Sequence, residues 1–155
     1  MSVTTPAIEH LQALGIAHRV FEHAGPVESL EQAARERGET PDQVVRSIVF
    51  RLGEAEFLMV LVSGPAQIPW KTLRRYLGQN RLTMASEEEL LAATGCRPGT
   101  VSPFGLPKPM RVLIDKCILE QAEVSFGSCR RGVAVILQTA DLLKALGEVE
   151  VIQLT

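Results

Sequence analysis

Apolar and polar positions change period several times along this 155-residue chain, and each change marks an element. Ile8, Leu11, Leu14 and Ile16 recur at helical spacing behind Pro6, so a first helix is predicted there, ended by Gly15. Val20-Phe21 reads as a short strand. Ser29-Leu30-Glu31-Gln32 has the spacing of a capping box and opens a second helix, which Gly38 closes. Pro41-Asp42-Gln43 is a turn. From Val44 to Leu52 and from Ala55 to Ser63 the chain becomes β-rich, with Gly53-Glu54 between the two runs as a tight hairpin turn.

Alternation in the first arm puts Val45, Ser47, Val49 and Arg51 on one face and Val44, Arg46, Ile48, Phe50 and Leu52 on the other. Arg46 therefore shares a face with apolar side chains. An arginine so placed is buried on an anionic or carbonyl partner, or it points into a pocket. Pro69 to Leu77 predicts a helix stopped by Gly78, and Ser86-Glu87-Glu88-Glu89 a second capping box opening a helix that ends at Gly95. Strands are predicted at Met110 to Ile114, Val124 to Phe126, Val133 to Leu137 and Val149 to Leu154, with a capped helix from Thr139 to Leu146. Helices and strands mix without regular βαβ alternation. The fold class is α+β: one domain over 1–155, with a curved mixed, largely antiparallel sheet surrounded by helices.

Composition narrows the function classes. Hydrophobic residues at 46% and charged residues at 22% are those of a globular domain, and Phe57 to Val62, the longest apolar run, cannot span a bilayer. The N-terminus has no secretory pattern. Three cysteines, Cys96, Cys117 and Cys129, form no Cys-x-x-Cys pair, so neither a disulfide framework nor a zinc site is expected, and a reducing cytoplasm is the default. Net charge is −2, but residues 46–81 carry six bases against two acids, whereas 1–45 carry three against seven. Lys71, Arg74 and Arg75 form a solvated helix face or a local patch for an RNA backbone.

Nucleophile motifs are thin. No Gly-x-Ser-x-Gly elbow is present, and all three histidines lie within the first 23 residues. His10 is read as a helix-surface residue and His18 as a strand-edge residue. His23, beside Glu22, is read as a solvated turn residue, with a general base as the alternative. Cys129 has cationic neighbours in Arg130 and Arg131 that would favour a thiolate, against a plain structural role. Two glycine-punctuated segments stand out instead, Gly95 to Pro107 and Gly127 to Gly132, of the kind that lets backbone approach a ligand closely.

Thr5-Pro6-Ala7, Phe21-Glu22-His23, Pro41-Asp42-Gln43-Val44 and Gly95-x3-Gly99-x3-Pro103-Phe104-Gly105 occur in that order. Asp115 and Gly127-Ser128-x-Arg130-Arg131-Gly132 follow, before Asp141-Leu142. Over essentially its whole length the chain thereby resembles the YbaK/prolyl-tRNA-synthetase-associated editing domains. The resemblance implies an α+β domain that removes a wrongly attached small amino acid, such as Ala, Cys or Ser, from tRNA, chiefly tRNA for proline. It implies ester hydrolysis without cofactor, metal or covalent nucleophile, in the cytoplasm. The implied partner is the acceptor end of an aminoacyl-tRNA, with an aminoacyl-tRNA synthetase as a second partner; neither DNA nor a membrane is implied.

Carried onto this chain, the resemblance makes Arg46, Gly99 and Ser102 the catalytic candidates. Phe21, Ser47, Pro103, Phe104, Gly105, Gly127 and Ser128 are the candidates for substrate binding. Arg46 and Ser47 would touch the terminal adenosine or the ester, and the glycine loops would wall the pocket. Three positions depart from the family: Arg46 replaces its usual lysine, Phe21 a tyrosine of some members, and Ala134 an aspartate. Arginine keeps the charge but cannot shuttle a proton. A binding module without hydrolysis is therefore the alternative, and a hydrolase using Ser128 or Cys129 as nucleophile a third reading.

Overall fold

The computed structural model describes residues 3–154. Helices are α1 (Pro6–Ala13), α2 (Leu30–Arg37), α3 (Trp70–Leu77), α4 (Glu87–Thr94) and α5 (Leu142–Leu146). Strands are β1 (His18–Glu22), β2 (Val45–Leu52), β3 (Glu56–Ser63), β4 (Thr83–Met84), β5 (Arg111–Asp115), β6 (Glu123–Gly127), β7 (Val133–Gln138) and β8 (Glu150–Ile152). One sheet runs β1-β7-β6, and the other β4-β2-β3-β5-β8. Pairing is antiparallel except for β5, which lies parallel to both β3 and β8, so the mixed, largely antiparallel α+β reading is correct, but the single sheet expected is two. The sheets join where Val44 bridges Ser125 and the Gln43 side-chain amide donates to the Glu123 carbonyl at 3.1 Å.

Strand β3 explains why 57–62 is unbroken apolar sequence. Met59 and Leu61 enter a core with Val45, Val49, Ile114, Phe126 and α1, whereas Leu58, Val60 and Val62 enter a second one with Phe50 and Leu73 of α3. A strand covered on both faces has no polar side to show. Each of these side chains is worth about 1.5–3 kcal/mol of burial, so together they hold the larger sheet between two apolar layers.

Local signals are realised closely. Ser29 Oγ accepts from Gln32 N–H at 3.0 Å, and Gly38 ends α2 in the left-handed region at φ +74°. Ser86 and Glu89 close a reciprocal capping box at the start of α4. Three expectations need correction. The hairpin turn takes three residues, Gly53 to Ala55, because Leu52 pairs with Glu56. The segment from Thr139 starts as a 3-10 turn before α5, and no side chain caps either. Strand β8 is shorter than Val149 to Leu154, the chain beyond it being held by Leu154 N–H donating to the buried Asp115 carboxylate at 3.3 Å. Among the described residues no helix is long and apolar enough to cross a membrane.

Candidate functional site

The two glycine segments meet. Cys129 N–H donates to the Thr100 carbonyl at 2.7 Å, and the Gly127 backbone lies so close to Thr100 and Val101 that a Cβ there would be 2.8 Å from a carbonyl oxygen. Only glycine fits that approach. Cys96 and Cys129 are joined by a disulfide across the same contact, which overturns the expectation of unpaired thiols. Cysteine arithmetic missed it because the pair is 33 residues apart in sequence and two loops, not one motif, bring it together. Cys117 is outside this disulfide.

A cleft with two chambers opens beside this junction. The inner chamber, about 610 Å³, is lined by β2 from Val44 to Val49, by Ala85 and Leu90, and by Gly99 and Gly127. The outer one, about 490 Å³, lies toward His23, Thr100 and Arg130. Val27, Arg37, Pro98, Gly99 and Gly127 line both, so they form the passage between them. The inner volume suits a small organic group, and its floor is apolar through Val45, Val49 and Leu90. Among these apolar groups Ser47 Oγ is shut from bulk solvent with no hydrogen-bond partner.

Arg46 sits one position away, but its guanidinium turns to the other face of β2. Its Nε donates to the Gly64 carbonyl at 2.8 Å and Nη2 to the Ala66 carbonyl, and neither residue lines the inner chamber. Of the two fates the alternation allowed, carbonyl pairing is the one found. Burial pulls its pKa down from the usual arginine range. The contacts clamp β2 to the turn after β3. Arg46→Met is accordingly expected to lower unfolding stability by about 1.5–3 kcal/mol, and Arg46→Lys by less, in urea denaturation.

Other sequence candidates divide by location. Gly99, Gly127 and Ser47 converge on the cleft. Ser102 is buried outside either chamber, its Oγ accepting from Phe104 N–H at 3.2 Å. Phe104 packs edge-on against Phe126 with ring centres 5.1 Å apart, and Pro103 is buried beside it. Gly105 abuts the Pro6 backbone. These residues fasten the loop to α1 and the core rather than line the cleft.

Ser128 Oγ is buried and donates to the Val133 carbonyl at 2.7 Å, and Cys129 is in the disulfide, so neither presents a free nucleophile. Phe21 stacks edge-on against His23 on β1. Lys71, Arg74 and Arg75 ride on α3, which covers the second core on the far face of the larger sheet, and none of them lines the cleft.

Sequence reading missed the group at the passage. His23 is not a solvated turn residue: its side chain is 1% exposed. Arg37 Nε donates to His23 Nε2 at 3.1 Å, and Arg37 Nη1 donates to Ser125 Oγ at 3.0 Å. An arginine N–H can only donate, so Nε2 is the accepting nitrogen and Nδ1–H donates to Glu36 at 2.7 Å, fixing a neutral tautomer. Burial pulls the Arg37 pKa down, opposed by the charges of Glu39 and Glu36. Burial pushes the Glu39 carboxyl up, opposed by Ser125 and Arg37. The only local signal was a basic residue in the last turn of α2, which is unremarkable on a helix. His10, expected on the helix surface, instead contacts the Ala145 carbonyl at 3.1 Å.

Known proteins are similar to this chain in sequence and in fold. The proline–tRNA ligase of Trichlorobacter lovleyi is 28% identical over 106 residues, which is 68% of this chain and 18% of the ligase. That of Staphylococcus saprophyticus is 31% identical over 91 residues, 59% of this chain and 16% of the ligase. The chain thus spans less than a fifth of the length of these curated relatives. A crystal structure of a candidate trans-editing enzyme for prolyl tRNA synthetase superposes with a TM-score of 0.88 at 27% identity, covering 99% of both chains. The aminoacyl-tRNA editing domain family matches residues 24–145, a span that contains α2, the whole of β2 and both glycine loops of the cleft. With the sequence match over most of its length and the fold in agreement, this chain belongs to the aminoacyl-tRNA editing domain family.

Proposed function

We propose that the protein is a deacylase that cleaves the ester between a small, wrongly attached amino acid and the terminal ribose of a tRNA, chiefly tRNA for proline. The observation that carries this is the inner chamber: a cavity of about 610 Å³ with an apolar floor, large enough for an aminoacyl group, whose wall holds one unpartnered hydroxyl, Ser47 Oγ. Such a space accepts an aminoacyl group, the backbone around Gly99 and Gly127 meets its polar end, and the Ser47 hydroxyl, held by no partner in the chain, joins them by turning about χ1. An aminoacyl ester is already activated. Water adds to its carbonyl carbon, the oxyanion is held by donors of the glycine loops, and the carbon–oxygen bond to ribose breaks as that oxygen takes up a proton. The products are the free amino acid and an uncharged tRNA. The reaction would take place on a tRNA charged by a separate synthetase.

Purified protein is expected to accelerate ester loss from Ala-, Cys- or Ser-charged tRNA by about tenfold or more over the spontaneous rate. Ser47→Ala is expected to lower kcat/KM by about tenfold while leaving stability within about 1 kcal/mol, because the hydroxyl has no partner in the chain to lose. No acceleration on any of the three would refute the deacylase reading. A second reading has one observation in its favour: the cation of position 46 is spent on Gly64 and Ala66. Tight binding of a non-hydrolysable aminoacyl-adenosine, without turnover of the ester, would mark the protein as a binding module.

A further inference from the structure

The outer chamber differs in charge from the inner one. Arg37, Arg130 and Arg131 line it together with His23, and no Asp or Glu is among its lining residues. The inner chamber, by contrast, has Glu28 and Glu87 in its wall. Among the described residues, the three arginines make no ion pair, although the chain as a whole carries a net charge of −2. Arg130 and Arg131 are exposed at the rim, and Arg37 is set deeper, at the passage.

Arg37 is held in an unusual way for a part-buried guanidinium. Its anchors are a neutral imidazole and a serine hydroxyl, neither of which cancels its charge. Glu36 and Glu39 are near enough to act on it through space, yet neither forms an ion pair with it. A carboxylate anchor would have neutralised it. Two of its five N–H donors are used by His23 and Ser125, leaving the rest for a ligand. Oriented donors with uncancelled charge, in a hollow free of carboxylates, match a phosphate.

We infer that the outer chamber is a phosphate subsite, in which Arg37, Arg130 and Arg131 hold the phosphodiester next to the terminal nucleoside of the RNA strand. The inference rests on the deacylase reading for the direction of the ligand: the ester in the inner chamber, the ribose at the Gly99–Gly127 passage, the phosphate outside. It also moves the RNA contact away from Lys71, Arg74 and Arg75, which lie across the sheet.

The test compares two substrates, alanyl-tRNA and the phosphate-free ester 3′-alanyl-adenosine, with wild-type protein and an Arg130→Ala/Arg131→Ala variant. The ratio of kcat/KM for the tRNA over that for the adenosine ester is expected to fall about tenfold or more in the variant. The salt dependence of kcat/KM for the tRNA should flatten, by ~0.7 in the log–log slope per lost phosphate contact. An unchanged ratio, or an equal loss on both substrates, would overturn the subsite. If wild-type protein hydrolyses neither ester, the deacylase reading fails by itself and the subsite is read by binding. Adenosine 5′-monophosphate should then shift the backbone amide resonances of Gly99, Gly127 and Gly132, adenosine should not, and the double variant should abolish the shifts. Equal shifts with both ligands, or none with either, would overturn it.

Discussion

Breaking the Cys96–Cys129 bond, by reductant or by Cys129→Ser, is expected to lower unfolding stability by about 2–4 kcal/mol. The cross-link closes 33 residues of sequence, for which loss of unfolded-state entropy alone amounts to ~3.7 kcal/mol. In a chain of this size that corresponds to a melting temperature lower by roughly 5–15 °C. The measurement is thermal denaturation with and without dithiothreitol, in a Cys117→Ser background so that the third cysteine cannot exchange with the pair. Equal midpoints would show that the bond contributes nothing. Cys129 adds a second handle, because it holds φ +75°, a left-handed conformation unfavourable by about 1–2 kcal/mol outside glycine. Cys129→Gly should therefore lose about 1 kcal/mol less than Cys129→Ser, although both lack the bond. The cross-link also ties the Pro98-Gly99 wall to the Gly127 wall, so reduction should raise KM more than it lowers kcat.

Gly127→Ala is expected to reduce kcat/KM by about 100-fold, together with a stability loss of about 1–3 kcal/mol. Its Cβ would stand 2.8 Å from the Val101 carbonyl oxygen and 2.9 Å from that of Thr100. Both are backbone atoms and cannot rotate away, so the loops must part at the passage between the two chambers. Gly99→Ala is the matched comparison. It lies on the opposite wall with nothing within 4 Å of its Cβ, and its φ of +81° makes the penalty purely conformational, ~1 kcal/mol. Urea titrations and ester hydrolysis on the two variants separate close approach from backbone strain. Equal kinetic losses would mean that the contact with Thr100 and Val101 does not set the cleft.

Sequence carried the local part of this architecture well. Capping residues act within four positions and strand alternation within two, so Ser86, Gly38 and the faces of β2 were readable without any long-range information. The ordered motifs, taken together, carried the family. What escaped depends on partners far away in the chain: Arg37 on Ser125, 88 residues on, and Cys96 on Cys129. Glycines announce tight backbone but not its purpose. Gly99 and Gly127 line the cleft, whereas Gly105, in an equally conspicuous motif, seats a loop on α1. A cation at position 46 was visible, but its engagement with Gly64 and Ala66 followed from a turn whose path has no periodic signature.

Strand β2 divides its labour by parity. Val45, Ser47 and Val49 face the core side of the cavity, whereas Phe50 and Leu52 enter the second core and Arg46, although it borders the cavity, spends its guanidinium on the Gly64 and Ala66 carbonyls. Substitutions at 45, 47 and 49 would therefore reshape the cavity while the inward contacts of Phe50 and Leu52 keep the larger sheet packed, so cavity and framework can vary separately.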